Sequence, residues 1–190
     1  DHGYAVTDFR RIEPAYGTLA DFDELLREAH ARGIGVIMDY VINHSAASHP
    51  LFVDAKASRS SPYRDWYIWK DPAPTGWDIW GKNPWYASPG GTFYATFGPH
   101  MPDFNLENPQ AMDYHRNNLR FWLDRGLDGF RFDAVPHLIE SGPKDWNDQP
   151  GSYALMAHVQ SLMSGYQRRY LVCEATANPT RWAAPYICGS

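Results

Sequence analysis

Charged side chains interrupt an otherwise apolar stretch at residues 127–137, LDGFRFDAVPH. If this stretch forms a β-strand, Arg131 and Asp133 lie on one face while Phe130 and Phe132 lie on the other, because successive side chains alternate. A buried parallel strand is normally an unbroken apolar run, so an ion pair at its carboxyl end indicates a role beyond packing. In a βα barrel, catalytic groups lie at that end of the strands.

Other polar side chains stand at the ends of predicted strands or in the loops beyond them: Asp39 with Asn43 and His44, Asp103, and Glu174. The strand ends of a barrel converge on one mouth, so residues distant in sequence can meet there. Two carboxylates facing a sugar-sized pocket are the groups that glycoside hydrolysis requires. Each residue alone has an ordinary explanation, since aspartate often caps a turn and a lone histidine is more often structural. The joint pattern is what favours catalysis.

Three helices alternate with three strands along the chain. The spacing of apolar residues predicts helices from the Thr18 cap to Gly33, from the Asn108 cap to Gly126, and from Tyr153 to about Tyr166. Apolar runs predict strands at 34–42, from 127 onward and at 170–175, the first of them covered on both faces. This order predicts a parallel sheet with right-handed crossovers, either doubly wound or part of a (β/α)₈ barrel.

The connection 45–105 is far longer than a usual βα loop and contains five of the eight tryptophans and eight of the fifteen prolines. It predicts a small irregular subdomain. For any single tryptophan, packing is a better explanation than ligand contact. We nevertheless expect one or two of its aromatic side chains to form platforms for sugar rings, whose C–H faces suit flat aromatic surfaces.

The composition predicts a soluble globular protein. Among 190 residues the net charge is −5 and no lysine or arginine cluster occurs, so neither nucleic acid nor a membrane surface is an expected partner. No apolar run approaches the ~20 residues of a membrane span. No signal segment is visible and therefore no compartment is predicted. Because the chain starts without Met and stops soon after a strand, we expect it to be cut from a longer protein.

Four segments, DYVINH (39–44), MPDFN (101–105), GFRFDAVPH (129–137) and LVCEA (171–175), resemble short regions of the α-amylase family, glycoside hydrolase family thirteen, in the family's order. The opening DHGYAVTDF also resembles the segment after the second barrel strand. The resemblance implies a partial (β/α)₈ barrel, about strands three to five with their helices. Barrel segments would cover 1–44 and 106–190, with the inserted subdomain at 45–105.

The resemblance also implies roles for individual residues. Asp133 matches the family's nucleophile, Glu174 its general acid/base, and Arg131 the residue beside the nucleophile. Four positions match the family's substrate-binding residues. His44 matches the histidine that binds the sugar before the cleaved bond, and Tyr4 and Asp1 match the residues that stack on that ring and hold it. The fourth position is His137.

Local chemistry agrees with these roles. Arg131 favours the ionised form of Asp133, and the apolar neighbours Val172, Cys173 and Ala175 are expected to help keep Glu174 protonated. Carboxyl groups with pKa values pushed apart in this way form a retaining pair, expected about 5 Å apart and acting through a covalent glycosyl-enzyme intermediate.

Three positions match the calcium ligands that tie the inserted subdomain to the barrel in many amylases. They are the side chains of Asn43 and Asp103 and the backbone carbonyl of His137. All three supply oxygen, which suits Ca²⁺. The alternative is that Asn43 and Asp103 merely cap loop backbone, and relatives that act on short oligosaccharides often lack this site.

Two features depart from the family pattern. The remaining catalytic aspartate of the family has no counterpart before Ser190, so the 190 residues alone are expected to be inactive. Pro136 stands where many amylases have a lysine that contacts the departing sugar, and the pair Val135–Pro136 resembles maltose-converting transglycosylases.

The predicted function is that of a retaining hydrolase of starch or maltooligosaccharides, of the α-amylase or α-glucosidase type. One alternative is a trehalose synthase-like transglycosylase or isomerase acting on maltose. The other is a non-catalytic sugar-binding or transport-accessory homologue, since fold does not fix function.

Overall fold

The computed structural model describes residues 2–175. Its α-helices are α1 (Leu19–Ala31), α2 (Pro50–Ala57), α3 (Pro109–Asp124) and α4 (Pro150–Met163). Its strands are β1 (Ile37–Tyr40), β2 (Trp69–Lys70), β3 (Trp85–Ser88), β4 (Gly91–Tyr94), β5 (Gly129–Phe132) and β6 (Tyr170–Cys173), and short 3₁₀ helices span Arg64–Trp66 and Val135–His137. Within this range no helix is both long and apolar enough to cross a bilayer.

The helices α1 and α3 begin at the caps that the sequence predicts. The backbone N–H of Thr18 donates to Asp21 Oδ2 at 2.7 Å, and the N–H of Asp21 donates to Thr18 Oγ1 at 3.3 Å, which forms a reciprocal capping box. Before α3, the side-chain oxygen of Asn108 accepts from Gln110 N at 2.9 Å, and Pro109 occupies the first helical position.

The barrel part is a parallel sheet in the order β1–β5–β6, with α3 before β5 and α4 before β6. β1 is shorter than the predicted strand 34–42, because the chain turns at Gly33, where φ is +71°, and the pairing with β5 ends at Tyr40. The prediction that this strand is covered on both faces is also wrong, because Ile37 is 42% exposed. β1 is an outer strand of the described sheet, beside a groove of about 940 Å³.

The segment between β1 and α3 contains α2 and a second, antiparallel sheet in the order β2–β4–β3. Aromatic side chains hold it together: Tyr67 stacks on Phe104 with centroids 4.8 Å apart, and the guanidinium of Arg64 lies 3.4 Å from the centroid of Trp69. Arg64 also donates to the carbonyl of Gly90 at 2.7 Å. Packing is therefore the main use of these aromatic side chains.

The start and the end of the inserted segment lie side by side. His44 and Asp103 form an antiparallel bridge, flanked by hydrogen bonds from Ser45 N to Pro102 O at 3.2 Å and from Phe104 N to the carbonyl of residue 43 at 2.9 Å. This closure places the MPDFN segment against the end of β1, as a barrel with an inserted subdomain requires.

A partly buried polar network fixes the N-terminal segment to the sheet. The hydroxyl of Tyr40 lies 3.0 Å from Nδ1 of His115, and Arg10 Nε donates to Asn118 Oδ1 at 2.7 Å. The indole N–H of Trp122 donates to the carbonyl of Phe9 at 2.8 Å. Because α3 supplies three of these partners, the chain that precedes α1 is held along β1, and its start reaches the carboxyl end of the sheet.

Candidate active site

Arg131 on β5 lies at the centre of three carboxylates. Its Nη1 is 2.7 and 2.9 Å from the two oxygens of Asp39 and 2.6 Å from Asp133 Oδ1. Its Nη2 is 3.0 Å from Glu174 Oε2. Burial lowers the pKa of Arg131, but the hydrogen bonds to Asp39 and Asp133 outweigh burial and raise it well above its ordinary value. The guanidinium is therefore a fixed positive charge.

Strand register explains why these residues meet. Asp39 on β1 pairs with Arg131 on β5, so the two side chains point to the same side of the sheet. Beyond the strand ends, Asp133 N donates to the carbonyl of Tyr40 at 3.2 Å, and Glu174 N donates to the carbonyl of Phe132 at 2.9 Å. Both carboxyl groups are thus held at the same edge by continued backbone pairing.

The carboxyl group of Asp133 is only 11% exposed, and its pKa is raised to about 6. Burial is the main cause of this rise. The hydrogen bond and charge of Arg131 lower the pKa, as the sequence predicts, whereas the negative charge of Glu174 and a hydrogen bond with it raise the pKa. Burial and the second carboxylate together outweigh the arginine.

Glu174 lies in a more polar setting than its apolar sequence neighbours predict. Its Oε2 accepts a hydrogen bond from the backbone N–H of Ala134 at 3.0 Å and forms an ion pair with Arg131, and its side chain is 37% exposed. Ala134 has the left-handed φ of +52°, which turns its N–H toward Glu174 immediately after the Asp133 position. The turn after β5 therefore orients both carboxyl groups at once.

A cavity of about 380 Å³ lies over these groups. Five predicted site residues line it: Tyr4, His44, Arg131, Asp133 and Glu174. The sequence reasoning missed four others: Phe97, His100, Met101 and Ala134. Three of these four belong to the segment that returns from β4 to α3, whose path no periodicity reveals, although its match to the MPDFN region places it near the strand ends.

Tyr4 and His44 form one side of the cavity. The Tyr4 hydroxyl donates to Asp39 Oδ2 at 3.0 Å, which ties the N-terminal segment to the Arg131 cluster. Burial lowers the pKa of His44 to about 4, so the imidazole is neutral at ordinary pH. Its Nδ1 lies 3.3 Å from Asn43 Nδ2, and Nε2, which has no partner among the described residues, is the nitrogen left for a sugar hydroxyl. Asp1, the remaining predicted sugar contact on this side, lies outside the described residues.

His137 does not line the cavity. Its ring is 93% buried against Phe97, with centroids 5.6 Å apart, and it stacks on Trp146 at 5.4 Å with an angle of 11°. Burial lowers the pKa of His137 to about 4. The ring of Phe97 therefore separates the side chain of His137 from the cavity that contains the carboxylates.

Asn43 and Asp103 are brought together in the interior. Both are 1% exposed. Burial raises the pKa of Asp103 to about 7, while hydrogen bonds from Thr96 and, to a smaller extent, from the Asn43 side chain lower it. Asp103 also accepts from Thr96 N at 3.1 Å and from Thr96 Oγ1 at 2.7 Å. A buried carboxylate next to an amide and a hydroxyl is an oxygen-rich donor set, which fits the chemistry of Ca²⁺. Within residues 2–175 no group of three His, Cys, Asp or Glu side chains forms a metal cluster, so a cation here depends on amide and carbonyl oxygens.

Sequence comparison relates the chain to proteins of known name. The family model described as "Alpha amylase, catalytic domain" matches residues 1–190. The chain is 43% identical over 144 residues to alpha-amylase 3 of Dictyoglomus thermophilum, covering 76% of the chain and 28% of that protein. It is 35% identical over 195 residues to the trehalose synthase of Pimelobacter sp., covering 95% of the chain and 33% of that enzyme.

Structural comparison agrees. Trehalose-6-phosphate hydrolase of Bacillus licheniformis superposes with a TM-score of 0.87 at 33% identity, over 93% of this chain and 35% of that one. The α-amylase from H. orenii gives a TM-score of 0.82 at 35% identity, over 93% of this chain and 36% of that one. These likenesses confirm the predicted fold class, a part of a (β/α)₈ barrel. The chain spans about a third or less of the length of the relatives it matches.

Proposed function

The chain belongs to the α-amylase family of glycosidases, and on that premise we propose that it carries the nucleophile and the acid/base of a retaining hydrolase that cleaves α-glucosidic bonds. The observation that carries this proposal is the contact of Asp133 and Glu174 with one guanidinium at the floor of a cavity. The chain spans about a third or less of the length of its relatives, and we propose that a third carboxylate from outside these residues completes the site.

In the proposed reaction, Asp133 Oδ attacks the anomeric carbon while Glu174 gives its proton to the departing glycosidic oxygen. The C–O bond to the leaving sugar breaks as the ester bond to Asp133 forms. Glu174 then removes a proton from water, which attacks the same carbon and releases Asp133. Arg131 supports this sequence by stabilising the carboxylate that is restored at the end.

The negative charge of Glu174 acts to raise the pKa of Asp133, so the two carboxyl groups lie close enough to interact. A retaining pair works with its carboxyl groups about 5 Å apart, so that the anomeric carbon and the glycosidic oxygen fit between them. The contact of both carboxyl groups with the guanidinium of Arg131 therefore supports a retaining reaction.

We propose that calcium binds through the side chains of Asn43 and Asp103 and the backbone carbonyl of His137. The burial of Asp103 supports this, because its pKa of about 7 reflects the cost of a buried negative charge, and a bound cation would offset that cost. The ion would join the start and the end of the inserted segment to the turn after β5. Its role would be structural, since Asp103 does not line the catalytic cavity.

The test is product analysis with the full-length protein and its Asp133→Ala variant. We expect release of glucose or maltooligosaccharides from maltose or soluble starch, with the first-formed product in the α-configuration, which reports retention. The variant should lose several orders of magnitude in turnover, because no glycosyl-enzyme can form. A product of β-configuration, or near-normal activity of the variant, would refute the proposal.

The same experiment separates the alternatives. The likeness to a trehalose synthase and the pair Val135–Pro136 favour a maltose-acting transglycosylase as the second candidate, in which trehalose rather than glucose would accumulate from maltose. A non-catalytic sugar-binding homologue would bind maltose without forming either product. It is the weaker candidate, because such proteins usually lose the acid pair and this chain has both members.

A further inference from the structure

A row of four aromatic rings leads from the catalytic cavity to the surface. Phe97 lines the cavity and lies 5.3 Å from the ring of His44. Behind it, His137 contacts Phe97 at 5.6 Å and stacks flat on Trp146 at 5.4 Å. Trp80 contacts all three, at 5.8 Å from Phe97, 5.4 Å from His137 and 5.3 Å from Trp146. We name these four side chains the aromatic shelf.

Trp80 is the exposed member of the shelf, with 61% of its surface accessible. Most other aromatic side chains of the inserted segment are buried or half-buried in its packing. The indole of Trp80 lies at 83° to Trp146 and His137 and at 36° to Phe97, and its large exposed fraction leaves ring surface open to a ligand.

The backbone at Trp80 is unfavourable for tryptophan. Ile79 and Lys82 exchange two backbone hydrogen bonds, of 2.8 and 3.0 Å, so Trp80 and Gly81 form a two-residue hairpin turn. Both central residues have positive φ, +50° for Trp80 and +81° for Gly81. Asparagine, aspartate and glycine suit the first of these positions, whereas a bulky side chain is strained there. The backbone conformation therefore does not explain why this residue is a tryptophan, and the reason must lie in what the indole ring contacts.

The position of the shelf indicates what lies on it. His137 is near enough to Glu174 that the negative charge of Glu174 acts to raise the pKa of His137, although burial lowers that pKa overall. Glu174 is the proposed donor of the proton to the leaving oxygen, so the shelf lies on the side of the cavity toward which the leaving sugar extends. The shelf begins at the cavity wall and runs beside the turn after Asp133, where Pro136 offers no charged side chain to hold that sugar.

We infer that Trp80, supported by His137 and Trp146, stacks against the pyranose ring of the leaving group and so determines which leaving groups the enzyme accepts. This inference rests on the proposed function. A flat indole recognises the C–H face of a sugar ring without hydrogen bonds to particular hydroxyls. The shelf should therefore favour substrates whose leaving group contains a sugar ring over those with a small leaving group.

The test compares Trp80→Asn with Trp80→Tyr in the full-length protein. Asparagine suits the turn and should leave the melting temperature unchanged or higher, but it removes the ring. We expect kcat/KM for the best substrate among maltose, isomaltose and trehalose to fall about tenfold in Trp80→Asn and much less in Trp80→Tyr. Hydrolysis of α-glucosyl fluoride, whose leaving group has no ring, should stay within twofold. Tyr16→Asn, which removes another exposed aromatic side chain, is the control.

Unchanged disaccharide kinetics, or an equal loss on α-glucosyl fluoride, would overturn the inference. A binding measurement separates this failure from failure of the proposed function. Calorimetry with maltotriose should show a Kd about tenfold weaker in Trp80→Asn than in the wild-type protein, whether or not the protein turns over any substrate. A wild-type protein that binds maltotriose through Trp80 but hydrolyses nothing would refute the function and support the shelf. Equal Kd values, or no binding, would refute the shelf.

Discussion

Asp39 and Arg131 are 92 residues apart in sequence, yet Nη1 of Arg131 lies 2.7 and 2.9 Å from the two carboxylate oxygens of Asp39. The same nitrogen is 2.6 Å from Asp133. Asp39 thus competes with the proposed nucleophile for one positive charge and at the same time fixes where that charge lies. Tyr4 completes the arrangement through its hydroxyl on Asp39. From these contacts we infer that Asp39 is a positioning residue that acts on Asp133 through Arg131.

Replacement of Asp39 by asparagine should therefore change both rate and pH dependence. The variant keeps one acceptor for Arg131 but loses a negative charge near Asp133, so the pKa of Asp133 should fall below its present value of about 6. We expect kcat/KM to drop about tenfold or more, because the guanidinium is held less firmly. The acidic limb of the pH profile should move to lower pH.

The measurement is a pH profile of kcat/KM on α-glucosyl fluoride, with Asp23→Asn as control. Asp23 forms a comparable pair with Arg125, at 2.9 and 2.6 Å, far from the cavity. The control profile should match the wild type. An acidic limb that stays in place or moves upward in Asp39→Asn would show that Asp39 does not act through Arg131.

Glu174→Gln should lose most activity on natural glucans, because glutamine has no proton to give to the leaving oxygen. Azide should restore part of the turnover with a substrate that has a good leaving group, since it replaces the water that Glu174 activates and forms a glycosyl azide. Glu28→Gln, which alters an exposed glutamate paired with Arg32, serves as control. Undiminished activity of Glu174→Gln would require a different acid.

The sequence predicted much of the fold because its signals were local. Capping residues and apolar spacing located α1 and α3, and parallel strands necessarily bring Asp133 and Glu174 to one edge. Two features depended on tertiary contacts and were missed. The lining of the cavity by Phe97 depends on the path of an irregular segment, and the net rise in the pKa of Asp133 depends on how deeply that carboxyl is buried.

Calcium should stabilise the folded protein by mass action if the proposed site is correct. We expect excess Ca²⁺ to raise the melting temperature of chelator-treated protein by several degrees, and Asp103→Asn to abolish that rise. The exposed carboxylate of Asp65, in the same inserted segment, provides the control Asp65→Asn, which should respond like the wild type. Absence of bound calcium by metal analysis, together with a melting temperature indifferent to chelator, would exclude the site.

Acid should destabilise the protein in part through His115. This residue is fully buried, and burial lowers its pKa to about 3. Between pH 6.5 and 3, His115 is therefore protonated in the unfolded chain but neutral in the folded protein. The stabilising contribution is therefore complete above pH 6.5 and is lost as pH falls toward 3, by about 1.4 kcal/mol per pH unit. His115→Gln should remove this slope from the free energy of unfolding.

Chemical denaturation of the full-length protein at pH 4 to 7 measures that slope. The raised pKa values of Asp103 and Asp133 act in the opposite direction, so the informative quantity is the difference in slope between variant and wild type. His158→Gln, at an exposed position of α4, is the control and should leave the slope unchanged. Identical slopes for His115→Gln and the wild type would show that His115 does not titrate on unfolding.

The last prediction is that a polypeptide of residues 1–190 alone is neither active nor monomeric. Within the described range, β1 and β6 are outer strands of a parallel sheet, and such strands present unpaired N–H and C=O groups. Apolar side chains near their starts are open to solvent, with Ile34 56%, Ile37 42% and Tyr170 48% exposed. A barrel avoids this exposure by closing on itself, so the isolated segment should associate through these edges.

Size-exclusion chromatography and calorimetry of residues 1–190 test this directly, with the full-length protein measured beside it. We expect early elution, a broad transition without a sharp heat-capacity peak, and no release of glucose or maltose from starch. The double variant Ile34→Lys/Ile37→Lys should reduce the association, because charges on an edge strand oppose pairing. A monomeric elution volume, a cooperative melt and measurable hydrolysis by the 190 residues would together show that they form a self-sufficient catalytic fold.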